Sequence, residues 1–191
     1  MNRPREHRPR PPTSAELIDA DGTTIPDLIA PGLRLLLVGI NPGRHSGATG
    51  FHFGNPANRL WPALHQSGLT PRQYHPSDAQ ELLALGIGIT NLVERTTQGA
   101  KDLKPADIRA GADKLRRKII EFRPRTIAIL GKTAFQIGFD RPGSTLGRQS
   151  DKLEGSELWL LPNPSPINKW YPLPDLVLRF RDLRAAIDAD G

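Results

Sequence analysis

Four short runs of apolar residues stand out along the chain, at Leu33–Ile40, Ile87–Leu92, Thr126–Leu130 and Leu158–Leu161. None alternates cleanly with polar residues. A strand with one wet face would alternate, so these runs predict strands buried on both faces, as in a parallel sheet covered by helices. The intervening segments carry a helical period, at Asn58–Ser67, Ser77–Leu85, Pro105–Phe122, Lys132–Gly138 and Pro174–Asp188. "SDAQ" has the Ser and Gln spacing of a capping box, and Pro105 suits the first turn of a helix. Strands that alternate with helices predict an α/β fold: a three-layer α/β/α sandwich around a mainly parallel sheet of four or five strands.

In such a sheet, ligands bind beyond the carboxyl ends of the strands. "NPG" leaves the first strand there, "NLVER" the second and "PNPSPIN" the fourth. The Gly-rich polar segment 44–58, "RHSGATGFHFGNPAN", is therefore expected to form a wall of the site as well as a connection.

The 191 residues suit one domain, which we place at 29–191 behind a basic tail at 1–28 that is disordered at least to residue 13. That tail has Arg and Pro but no apolar core of a secretory signal, and no run is long enough to span a bilayer. With 26 Lys and Arg against 20 Asp and Glu, the net charge is +6 and the pI about 10.1, which favours a polyanionic partner. The absence of Cys excludes thiolate nucleophiles, thiolate metal sites and disulfides, and fits a cytoplasmic protein.

Several familiar motifs fail. "GKT" at 131–133 lacks the first Gly of a phosphate loop, since Thr126 occupies that position. There is no G-x-G-x-x-G and no G-x-S-x-G, and the five His residues show no metal-ligand spacing, so neither metal nor cofactor is expected.

Three other motifs, "GINPG", "TGFHFGNPANRLW" and "LPNPSPIN", occur in order on the expected strand ends. They resemble the mismatch-specific uracil-DNA glycosylases, the group within the uracil-DNA glycosylase superfamily that includes thymine-DNA glycosylase. The resemblance covers about Ile29–Ala186. It implies an α/β/α sandwich that flips a damaged base from duplex DNA and cuts its N-glycosidic bond without metal or cofactor.

Carried over residue by residue, the resemblance makes Asn41 the water-positioning amide. An amide cannot serve as a general base, so slow chemistry and a good leaving group are expected. Asn163 stands where other branches of the superfamily have a His that stabilises the departing uracil. Stabilisation then falls to backbone N–H groups at Ile40 and Phe53, and Phe53 also matches the aromatic that stacks on the flipped base. Gly43 belongs to the same pocket. Ser46 matches the position beside the pyrimidine C5, where it should favour uracil over thymine, and Asn91 a position at the pocket edge.

Glu94 is the carboxylate nearest that strand end, and two roles are open to it: orienting water, or pairing with Arg95 or another surface cation. Ile167 matches the apolar wedge that fills the vacated stack. Carbonyls of Pro166 and Asn168 match those that read the opposite guanine. Lys169 replaces an Arg and can meet phosphate without a bidentate fork.

Lys114, Arg116, Arg117 and Lys118 are read as a solvated helix face. Arg3, Arg5, Arg8 and Arg10 of the tail supply salt-sensitive attraction to DNA. The expected activity is hydrolytic removal of uracil, preferentially opposite guanine, by a monomer that hands an abasic site to downstream repair enzymes. Two alternatives stay open: a glycosylase of broader taste that also acts on single strands, and a lesion-binding protein without catalysis.

Overall fold

The computed structural model describes residues 9–190. Its centre is a five-stranded sheet of β1 (Leu35–Gly39), β2 (Ile87–Asn91), β3 (Thr126–Leu130), β4 (Gly147–Arg148) and β5 (Glu157–Leu161), in the order β2-β1-β3-β5-β4. β1, β2, β3 and β5 run parallel, with Leu37 opposite both Ile89 and Ala128, while β4 is a short antiparallel edge on β5. The α/β/α expectation thus holds, with five strands.

The continuous apolar runs follow from the two-sided core. Leu35 and Leu37 of β1 join one cluster and Leu36 and Val38 the other. The first cluster is closed by α3 (Leu60–Gln66) and α7 (Leu173–Ala189) through Leu64, Phe180 and Leu183. The second is closed by α5 (Pro105–Phe122) and α6 (Lys132–Gly138) through Leu115, Ile119 and Phe135. Each residue of Leu35–Val38 therefore faces hydrocarbon on one side or the other, and that strand has no position left for a polar alternation.

Boundaries differ from the sequence expectation where polar side chains intervene. α3 starts at Leu60 and not at Asn58, because Asn58 Oδ1 accepts the Leu60 N–H at 2.9 Å and holds residue 58 in the preceding turn. The single helix expected at Ser77–Leu85 is broken into a 3-10 turn, Pro76–Asp78, and α4 (Glu81–Ala84). His75, and not Ser77, caps it: the ring accepts from the Ser77 N–H, and Asp78 accepts from the His75 N–H while paired to Arg72 at 2.9 Å.

Two helices were not foreseen. α1 (Ser14–Asp19) lies within the segment expected to be tail. Its N-cap Thr13 and Glu16 form a reciprocal capping box, and Arg10 pairs with Glu16. Farther along, Leu28 is buried in the core and exchanges backbone hydrogen bonds with Ile89. The folded part thus reaches upstream of residue 29. Arg3, Arg5 and Arg8 lie outside the described residues. α2 (Arg44–Thr49) occupies the start of the segment expected as a loop and ends at Gly50, whose φ of 74° closes the helix in the left-handed region.

Candidate active site

The strand order reverses between β1 and β3, and a groove of about 900 Å³ opens beyond the carboxyl ends of the strands at that point. Ile40 and Asn41 enter it from β1, Leu130 and Gly131 from β3, and Pro162 and Asn163 from β5. The first and last of these turns carry Asn41-Pro42 and Asn163-Pro164, and both face one groove. Gly43, Phe53, Pro166, Ile167 and Asn168 complete the set of expected residues that line it.

Asn41 is held by three acceptors. Its Nδ2 donates to Thr97 Oγ1 at 2.8 Å, to the Pro42 carbonyl at 3.0 Å and to the Arg95 carbonyl at 3.3 Å. Thr97 spends its only hydroxyl hydrogen on the Gly99 carbonyl, at 2.8 Å, so towards Asn41 it can only accept. The amide cannot be turned over without placing Oδ1 against these acceptors. Oδ1, which makes no hydrogen bond to a described residue, is the atom left for the groove. Residues 92–97 are fixed in turn by backbone bonds from Leu92, Val93 and Thr97 to the carbonyls of Gly39, Ile40 and Pro42.

Phe53 sits at φ 50°, a left-handed conformation that is uncommon for a bulky residue and marks stored strain. Trp61 Nε1 donates to its carbonyl at 3.3 Å. Next to it, His52 is buried, with Nε2 2.9 Å from the Pro26 carbonyl and Nδ1 without a partner among the described residues. Burial holds the His52 ring below its usual pKa and favours the neutral form. The backbone N–H groups of Ile40 and Phe53 donate to no described atom, which leaves two donors at the groove. Gly39 is required beneath them, because a Cβ there would overlap Asn91 Oδ1 and crowd the Phe53 ring.

Four expected site residues lie elsewhere. Ser46 is buried on α2 and accepts the Gly54 N–H through Oγ at 3.0 Å, so its hydroxyl braces the turn before Asn55 and does not line the groove. Asn91 is buried against Gly39, below the groove lining. Glu94 pairs with Lys114 at 2.8 Å and Lys118 at 3.3 Å, which hold its carboxyl below the usual range. The cation it selects is not Arg95, which pairs with Asp107. Lys169 is exposed outside the groove. The basic helix face is also engaged: Lys118 reaches Asp27 at 2.5 Å and Arg116 reaches Glu154 at 2.7 Å.

Arg59 was not foreseen. Its guanidinium donates to the Pro164, Ser165, Asn168 and Tyr171 carbonyls, at 3.2 Å for Pro164 and 2.7 Å for Asn168 and Tyr171. One side chain thus organises the whole turn after β5. The Asn168 carbonyl, expected to face an opposite base, is directed to Arg59. Arg44, His45, Lys101 and Lys132 also line the groove, and no carboxylate does so among the described residues. Such a lining attracts a polyanion and supplies amides, not acids, to the reacting centre.

Residues 26–186 match the sequence profile of the Uracil DNA glycosylase superfamily. That span covers most of the chain and every element of the groove from β1 to β5, and the chain belongs to this superfamily. Membership makes it a DNA glycosylase that hydrolyses uracil or another deaminated base from DNA.

Proposed function

We propose that the protein is a monofunctional glycosylase of the mismatch-specific type, removing uracil preferentially opposite guanine in duplex DNA. The observation that carries this reading is the forced orientation of Asn41: its Nδ2 is committed to three acceptors and its Oδ1 remains for a water in a groove that no carboxylate lines among the described residues. The flipped uridine enters between Phe53 and Asn163, and the Ile40 and Phe53 N–H groups donate to the pyrimidine carbonyl as negative charge develops there. Oδ1 accepts a hydrogen bond from the water that attacks C1′. The C1′–N1 bond breaks with its electron pair leaving on uracil, a C1′–O bond forms, and the water's proton passes to solvent, since an amide cannot keep it.

Mismatch preference follows from the flipping cost, which is a few kcal/mol and least where the base is poorly paired. With the Asn168 carbonyl held by Arg59, reading of the opposite guanine falls to the Pro166 carbonyl. Cleavage of fluorescent duplexes carrying uracil opposite guanine or adenine, and of single-stranded uracil, tests the assignment. Asn41→Ala should lower single-turnover cleavage by about 10²-fold or more, the usual scale for losing a positioned catalytic group, and leave affinity for an abasic duplex within about threefold. Equal cutting of paired, mispaired and unpaired uracil would replace mismatch specificity by the broader activity. Undiminished cleavage by the Ala variant would remove Asn41 from the chemistry.

A further inference from the structure

The turn after β5 ends in a feature that the groove does not absorb. Of the three Trp residues, Trp61 and Trp159 are buried at 4% and 7% exposure, whereas Trp170 is 88% exposed. Ile167, three residues earlier, is 79% exposed. Two large apolar side chains at full exposure on one short turn are costly to leave in water, and a Trp buries about 200 Å² or more when covered.

The turn is not loose. Arg59 ties down its carbonyls at both ends. Asn168 spans its interior, with Nδ2 donating to the Asn163 carbonyl at 2.9 Å and Oδ1 accepting the Trp170 N–H at 3.3 Å. A framework that fixes Trp170 in the backbone while leaving its indole in solvent is suited to an inserting surface, because little conformational entropy is lost when a partner arrives.

We propose that Trp170 is a second DNA-stacking residue. Together with Ile167 it forms a two-pronged apolar edge, with Ile167 filling the gap left by the flipped nucleotide and Trp170 stacking on a base of the opened site. This rests on the reading of the groove as the site of base excision. The occupant is duplex DNA at an opened base pair, for two reasons on the molecule itself. Ile167 lines the groove, so the edge is continuous with it, and the flanking charge is positive, from Lys169 on the turn and Lys132 and Lys101 in the groove. An exposed planar indole next to Lys169, on a turn that borders a basic groove, suits stacked bases better than a hydrocarbon partner.

The buried positions of Trp61 and Trp159 make the test specific, because solvent-accessible tryptophan emission comes from Trp170. The full chain is titrated with a duplex carrying a tetrahydrofuran abasic site opposite guanine, with undamaged duplex as control, while acrylamide quenching and emission are followed. Binding of the abasic duplex should protect the accessible emission from acrylamide and change its intensity, and Trp170→Ala should lack the response. Affinity should fall by about tenfold in Trp170→Ala and stay within about threefold in Trp170→Phe, since stacking on a base tolerates any aromatic face. Normal affinity of Trp170→Ala for the abasic duplex, or unaltered Trp170 quenching in the bound complex, would overturn the proposal while leaving the glycosylase reading intact. Failure of the parent protein either to bind or to cut any uracil duplex would overturn both.

Discussion

Asn41→Asp separates the aim of the amide from its polarity. In the native site Nδ2 meets Thr97 Oγ1, the Pro42 carbonyl and the Arg95 carbonyl at 2.8, 3.0 and 3.3 Å. A carboxylate of the same shape places an oxygen anion against two carbonyls and a hydroxyl whose hydrogen is already spent on Gly99. The amide has two hydrogens to share among these three acceptors, so at about 1 kcal/mol for each donor lost the ionised variant forfeits roughly 2 kcal/mol of stability. The protonated acid can still donate once and forfeits roughly 1 kcal/mol. The neutral form is therefore favoured, and the folded pKa of the new Asp should lie above its ordinary value of about 3.9.

The sign follows by linkage. A carboxyl whose folded pKa is raised is stabilising relative to its ionised form only while protonated, so the penalty grows as pH rises from about 4 through the folded pKa. Urea denaturation between pH 4 and 8 should show the cost of the substitution increasing with pH. Single-turnover cleavage of a uracil-containing duplex should rise over the same interval, because only the ionised oxygen facing the groove adds negative charge beside the cationic sugar. An Asp variant as stable as the parent at neutral pH, with a flat ratio of rates across the interval, would refute the account of Asn41.

The two remaining predictions concern residues outside the reacting centre. Arg59→Lys keeps the charge but loses the fork that reaches four carbonyls. Charge-assisted bonds of this kind make a loss of about 2–3 kcal/mol reasonable, and cleavage should fall about tenfold more for duplex than for single-stranded uracil, since only a duplex needs a wedge; equal losses on both substrates would show that Arg59 does not act through the turn. Glu94→Gln should leave single-turnover cleavage within about twofold and cost at most about 1 kcal/mol at pH 7, because its ion pairs are half-exposed. Lys114 and then Lys118 lower the folded pKa of Glu94, so its contribution is present above the unfolded value of about 4.3 and is lost as pH falls through the folded one. Parent and variant should converge in urea denaturation as pH falls below the folded pKa, and a tenfold loss of cleavage would return Glu94 to the chemistry.

The sheet was legible because burial on both faces leaves a signature in one dimension: Leu35–Val38 are apolar without interruption, since their side chains enter two cores in turn. α2 left no such signal. "RHSGAT" has no apolar stripe, and its place is set by Gly43 at the start, Gly50 at the end and the close approach of Gly47 to Thr23 and Thr96. α1 did carry a local signal, the Thr13 and Glu16 spacing, which the basic composition around it concealed. Of the expected site residues, Ile40, Asn41 and Asn163 line the groove because topology carries the ends of β1 and β5 to one edge. Ser46 and Asn91 belong to the same segments, but their side chains turn into the packing beneath the groove. Arg59 was beyond reach for a different reason: its partners lie more than a hundred residues away, and nothing in its neighbours announces them.

The orientation of Asn41 also depends on chain outside the matched family span, which begins at residue 26. Gly22 donates its N–H to the Thr96 carbonyl at 2.9 Å, and Thr96 returns one to the Thr23 carbonyl at 2.7 Å. Thr23 and Thr96 are joined by their hydroxyls at 3.2 Å, and Asp21 is paired with Arg44 at the start of α2. Gly22 and Thr23 thus grip the residue between Arg95 and Thr97, the two that supply acceptors to Asn41 Nδ2 from across the groove edge. The "GINPG" turn provides the amide at the end of β1, but an amide can offer its oxygen to a water molecule only when its oxygen and nitrogen cannot exchange places. In this chain that condition is met by a hydroxyl and a carbonyl on residues 95–97, and the upstream segment is what keeps those residues in register with β1.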